Sequence, residues 1–167
     1  MIRPMSDPQT ETATSQRIFL VVVDETEEMR VALHYAARRA NHTGGKVALL
    51  YVIEPADLQH WAAVETLMRE ERREEAEELL QKLSAETADI AGSLPIVYIR
   101  EGRRRDELLA LIDEEPTISI LVLAAGTDPD GPGPLITALV GKHVGKLRVP
   151  ITVVPGTLTD GQLDAIT

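Results

Sequence analysis

Asp24 closes the apolar run "IFLVVVDE", and Gly126, Gly131 and Gly141 punctuate the later segment "LAAGTDPDGPGPLITALVGKHVGK". A carboxylate beside a glycine-rich bend can do a definite piece of chemistry. The acid accepts hydrogen bonds from sugar hydroxyls or an adenine amine, while bare backbone N–H groups approach phosphate oxygens. Lys142 and His143, directly after Gly141, add cationic character to the same stretch. Asp24 also has a plainer use, as an acid that favours the N-terminus of a following helix. The residues alone leave both uses open.

The familiar phosphate signatures are absent. A P-loop requires G-x-x-x-x-G-K-[ST], but Gly133 lies eight residues before Gly141-Lys142 and His143 follows. No G-x-G-x-x-G follows the first apolar run, so a dinucleotide site is unsupported. Pro129, Pro132 and Pro134 have no N–H to offer an anion. Asp128 and Asp130 bring negative charge to the bend. One carboxylate–phosphate contact at ~4 Å and an effective dielectric of about 20 costs about 4 kcal/mol, much reduced by water and salt. The aspartates could instead share Mg²⁺ with phosphates, since oxygen ligands suit that ion. In its simplest reading "DPDGPG" is a rigid turn, with Gly133 and Pro134 opening a short helix.

Other chemistries are set aside. The chain has no cysteine, which excludes disulfides and thiolate sites. His34, His42, His60 and His143 form no ligand set, and His34 and His42 lie too far apart on one helix to share an ion. No serine sits in a G-x-S-x-G elbow. The acid pairs Glu74-Glu75 and Glu77-Glu78 belong to a solvated face. Arg103, Arg104 and Arg105 read as a solvated helix start, being followed by Asp106 and Glu107. Trp61 either packs beneath a helix or marks a partner surface.

The elements that must position these groups follow from hydropathy. Strands are expected at 17–25, 46–55, 94–102, 118–126 and 149–156, each apolar throughout and so buried on both faces. Met29, Leu33, Ala36 and Ala40 recur at helical spacing over 26–41, with Thr26 as N-cap and Gly44-Gly45 as stop. A long charged helix over 58–90 carries Leu67, Leu79, Leu80 and Leu83 as a narrow stripe. Leu108, Leu109 and Ile112 face inward from a helix over 103–115. The segment 156–167 has too little periodicity to place, and 1–16 reads as a flexible polar tail. This alternation predicts one α/β domain over 17–155, a three-layer sandwich of a mostly parallel sheet covered by helices on both faces. In such sheets ligands bind beyond the carboxyl ends of the strands, where strand order reverses.

Bulk composition bounds the partners. With 167 residues, 44 % of them hydrophobic, one sizeable core is expected. The formal charge of −10 argues against nucleic acid and against an anionic membrane surface. No apolar run approaches the ~18 residues of a membrane span. The opening "MIRPMSDPQTETATSQ" lacks the apolar centre of a signal peptide, so a soluble cytoplasmic protein is expected.

From about Arg17 to Pro155 the sequence resembles the universal stress protein family. The resemblance rests on "VVVDET", "VALLYVIEP", "REG", "LVLAAGT", the glycine bend and the closing "LRVPITVV", in that order and spacing. It implies a five-stranded sheet of order 3-2-1-4-5, Rossmann-like in the manner of the adenine-nucleotide alpha hydrolases. It also implies a homodimer, and in some members binding of ATP or AMP, with Mg²⁺ where ATP is bound. By the resemblance Val23 and Asp24 would contact base and ribose, and Val52 would lie near the adenine. Gly126, Thr127, Gly131, Gly141, Lys142 and His143 would surround ribose and phosphates. The family's binding class resembles G-x2-G-x9-G-[ST]. Gly131 and Gly141 keep the x9 spacing, but four residues separate Gly126 from Gly131 and Lys142 replaces the hydroxyl residue. Both departures fall on the phosphate half. The implied output is stress-response regulation by nucleotide binding, or else by contact with unknown protein partners; a slow ATPase or phosphotransferase is the most that enzymology would add. The last strand, Val149 to Pro155, is apolar, short and flanked by prolines, an edge suited to pairing with its own copy.

Overall fold

In β1, Ile18–Val23, all six residues are buried, because alternate side chains enter two different cores. Phe19, Val21 and Val23 face one core; Ile18, Leu20 and Val22 face the other. This explains why the strands are apolar throughout. The structure is a computed structural model that describes residues 15–55 and 62–167. The expectations for the opening tail through residue 14, His60 and Trp61 lie outside those residues.

The order is β1, α1 (Glu27–Thr43), β2 (Lys46–Ile53), α2 (Ala62–Ala91), β3 (Ile96–Glu101), α3 (Arg104–Glu114), β4 (Ile118–Ala125), α4 (Pro134–Ala138), β5 (Ile151–Pro155) and α5 (Asp160–Ile166). The five strands form one sheet in the order β3-β2-β1-β4-β5, with every pairing parallel. Chain order reverses between β1 and β4. Val23 pairs with Tyr51 and Val21 with Val122, so β1, β2 and β4 end on one edge.

Helix α1 forms where expected. Thr26 caps it by accepting the N–H of Met29, Glu27 and Glu28 fill its first turn, and Gly44 closes it on the carbonyls of Ala40 and Asn41. Ala32, Ala36, Ala37 and Ala40 are buried and let the helix lie close on the sheet. Helices α1, α2 and α5 cover one face; α3 and α4 cover the other.

One expectation changes and two others are filled in. Leu67 does not join the stripe of α2: it is 57 % exposed, because burial on this helix begins only at Ala76 and continues through Leu80, Leu83 and Thr87. Leu109 packs against the core of Leu108 and Ile112 while only partly buried, and Leu111 joins them fully buried. The segment 156–167 holds α5, which a capping box of Thr159 and Gln162 starts. Its weak periodicity reflects a single anchor, the buried Leu163. Ion pairs supply the rest: Arg38 reaches Asp160 at 3.3 Å and Asp164 at 2.7 Å.

Candidate functional site

Asp24 leaves β1 at the carboxyl edge and turns the chain into α1. Its Oδ1 accepts from the backbone N–H of Thr26 at 2.8 Å and from the Thr26 hydroxyl at 2.5 Å. Thr26 in turn accepts from Met29 N–H at 3.3 Å. Asp24 thus braces the helix start with one oxygen, while Oδ2 has no hydrogen bond among the described residues. The helix-bracing use of this acid therefore occupies only one of its oxygens.

Across the switch point, Asp24 shares a crevice of about 290 Å³ with Gly126, Asp128, Gly131, Pro132 and Gly133. The acid and the bend stand on one rim, as the sequence argument requires. The bend is closed on itself. Gly126 N–H donates to the carbonyl of Pro132 at 3.0 Å, and Gly131 N–H to that of Asp128 at 3.2 Å. Gly131 and Gly133 hold φ of 113° and 108°, a region that strains any other residue. Two amides that an anion would need are therefore engaged within the loop.

The other expected residues are distributed along the same edge. Lys142 and His143 line an adjoining cleft of about 640 Å³ together with Asp128, Asp130 and Thr137. A π turn over Leu139–His143 presents them, a distortion frequent at functional sites. Gly141 is exposed and lines neither cleft among the described residues. Val52 lines a cleft of about 250 Å³ with Tyr51, Glu54 and Arg104. Burial raises the Tyr51 phenol above its ordinary value. The side chain of Val23 points into the core under α1, so only its backbone faces the edge. The Thr127 hydroxyl donates to Glu28 Oε1 at 3.2 Å and so points at α1.

Sequence reasoning missed Arg104. Arg103 and Arg105 are exposed as expected, but Arg104 is half-buried. Its backbone N–H donates to Glu54 Oε1 at 3.1 Å, which caps α3 from the end of β2. Its side chain lines both the Asp24 crevice and the Val52 cleft. Its Nε is buried without a hydrogen-bond partner. The signal was positional: Arg104 stands just past the carboxyl end of β3. Glu28 was missed too. Its own backbone N–H and the Thr127 hydroxyl hold its carboxyl below the ordinary value.

His34 lies between Glu86, 2.5 Å from Nε2, and Asp160, 3.4 Å from Nδ1. It ties α1 to α2 and α5 rather than standing free on the surface. A separate cleft of about 320 Å³ between Ile53, Met68 and Gly102 offers less: its Arg69 is paired with Glu101, and Arg72 donates to the Glu54 carbonyl. Among the described residues, no group of three or more His, Cys, Asp or Glu is placed to hold a metal, and no helix is long and apolar enough to cross a membrane.

The sequence matches the model of the Universal stress protein family over residues 16–155. The chain belongs to the universal stress protein family. Solved structures agree on the fold. Universal stress protein UspA from Lactobacillus plantarum superposes with a TM-score of 0.68 at 17 % identity, covering 84 % of this chain and 97 % of that one. A universal stress protein from Archaeoglobus fulgidus in complex with dAMP gives 0.55 at 16 %, covering 83 % and 96 %. A universal stress protein in complex with cAMP gives 0.54 at 16 %, covering 84 % and 98 %. No curated protein sequence matches the chain.

Proposed function

We propose that this universal stress protein is a cytoplasmic homodimer of the stress response whose crevice binds an adenine nucleotide, ATP or AMP, without robust turnover. The observation that carries the reading is the shared rim: Asp24, with Oδ2 free to accept from a ribose or an adenine amine, faces the bend at Gly126. The solved complexes with dAMP and cAMP show that other members of this fold take such ligands. Titration calorimetry with AMP, ADP and ATP, with and without Mg²⁺, tests it. Saturable heat at affinities on the order of millimolar or tighter supports the reading, and its absence overturns it.

The closed bend favours a second reading. Its two internal hydrogen bonds, three prolines and two aspartates suit a protein that acts through protein partners with no nucleotide. Stoichiometric adenine nucleotide in protein freshly purified from cells decides against that reading.

The dimer would form along β5, the edge strand, whose Val153 is 41 % exposed. The expected result in sedimentation is twice the 18.3 kDa chain mass. Val153→Asp would leave a monomer, since a charge on an edge strand blocks pairing. Wild-type protein that sediments as a single chain at micromolar concentration refutes the interface.

A further inference from the structure

We propose that Arg104 is the anion-binding group of the crevice, and that it selects a nucleoside monophosphate over the bare nucleoside. The inference rests on the nucleotide reading above and deepens it. Among the described residues lining the Asp24 crevice, Arg104 is the one cation, set against Asp24, Glu28 and Asp128. It forms no ion pair among the described residues, and its Nε is buried without a partner. That enclosed N–H is costly where it stands, and the rest of the guanidinium side chain lines the crevice, where it can donate to an anionic acceptor.

The bend cannot supply the anion site alone. The N–H groups of Gly126 and Gly131 are engaged by Pro132 and Asp128, and three prolines contribute none. Lys142 and His143 stand in the outer cleft, where Asp128 and Asp130 oppose them. Arg104 is common to the crevice beside Asp24 and to the cleft beside Val52, which also carries Glu25, Glu54, Glu75 and Arg72. The two walls make opposite demands. Asp24 Oδ2 asks for a hydrogen-bond donor, and Arg104 asks for an anionic acceptor. A sugar with free hydroxyls and one phosphate meets both, and guanidinium matches phosphate geometrically.

The test is equilibrium dialysis of AMP and adenosine against wild-type protein, Arg104→Gln and Arg104→Lys, with circular dichroism confirming the fold of each. Wild-type protein is expected to bind AMP about tenfold more tightly than adenosine, a margin that salt reduces. Arg104→Gln is expected to bring AMP down to the affinity of adenosine, leave adenosine unchanged and abolish the salt dependence. Arg104→Lys is expected to restore part of the margin, because it keeps the charge without the fork. An unchanged margin in Arg104→Gln, or equal losses for both ligands, overturns the proposal. Equal binding of AMP and adenosine by wild-type protein overturns it while the nucleotide reading survives. Binding of neither ligand overturns the proposal, and the calorimetry with ATP then decides the nucleotide reading separately.

Discussion

The Thr127 hydroxyl donates to the carboxylate of Glu28, joining the residue after β4 to the first turn of α1 at 3.2 Å. This contact fixes the root of the glycine bend to the helix that Asp24 and Thr26 start. It also engages the hydroxyl of a residue that the family pattern places beside the phosphates.

Removing that hydroxyl leaves Glu28 with its backbone N–H as the main stabilising partner. In Thr127→Val the Glu28 carboxyl is expected to titrate closer to its ordinary value of 4.5. Carbon-detected NMR titration of the side chain measures the shift. An unmoved Glu28 titration would show that the hydroxyl contributes nothing.

Gly156 follows β5 where the chain passes α1. A Cβ there would sit 2.3 Å from Glu28 Cγ and 2.8 Å from the Ala125 carbonyl oxygen. The backbone contact cannot swing away, so Gly156→Ala is expected to cost about 1–3 kcal/mol in urea unfolding. Gly161 in α5 has nothing within 4 Å of such a Cβ. Gly161→Ala should instead stabilise the protein by about 0.4–1 kcal/mol.

Arg148 reaches back from the approach to β5. Its guanidinium donates to the carbonyls of Ile112 at 2.6 Å, Glu115 at 3.0 Å, Ile118 at 3.2 Å and Pro116 at 3.4 Å. These carbonyls end α3 and begin β4, so one side chain seals the turn between them. Because Arg148 is itself exposed, water replaces part of what is lost. Arg148→Ala is expected to lower unfolding free energy by about 1–2 kcal/mol. Lysine, lacking the fork, should recover less than half of it. A fully restored midpoint in Arg148→Lys would mean that charge alone matters.

Stability should fall on the acid side. Hydrogen bonds from His34 and then Arg38 hold Asp160 below its ordinary 3.8. Arg69 lowers Glu101, and Arg100 lowers Glu114, both from 4.5. A carboxyl depressed in the folded state contributes stability that is complete above its ordinary value. The contribution is lost as pH falls through the depressed folded value. Urea midpoints should therefore drop below about pH 4.5, and Asp160→Asn should flatten part of that drop. A variant whose acid-side slope equals that of the wild type would remove Asp160 from the account.

The fold was legible because burial on both faces writes a simple signature. Phe19 and Leu20 point into different cores, so β1 had to be apolar without alternation. Thr26 and Gly44 were legible as helix ends for equally local reasons. Asp24 and the bend could be placed on one rim because strand order alone determines that neighbourhood. What stayed hidden depends on side chains meeting across distance. Arg104 looked like Arg103 and Arg105 in sequence, and only the packing of α3 beside Glu54 sets it apart. Leu67 looked like Leu80, but a helix of 30 residues carries its first turns clear of the buried stripe. The α5 segment shows one buried leucine and two acids, a pattern that gains meaning only beside Arg38 and His34.

Time is a further quantity under the control of the bend after β4. While Gly126 and Gly131 hold the carbonyls of Pro132 and Asp128, a ligand that used those amides would have to wait for their release. Association by that route levels off at the opening rate, however much ligand is added, whereas capture by Arg104 alone stays proportional to concentration. Rapid mixing thus distinguishes a loop that opens to receive its guest from one that merely stands beside it.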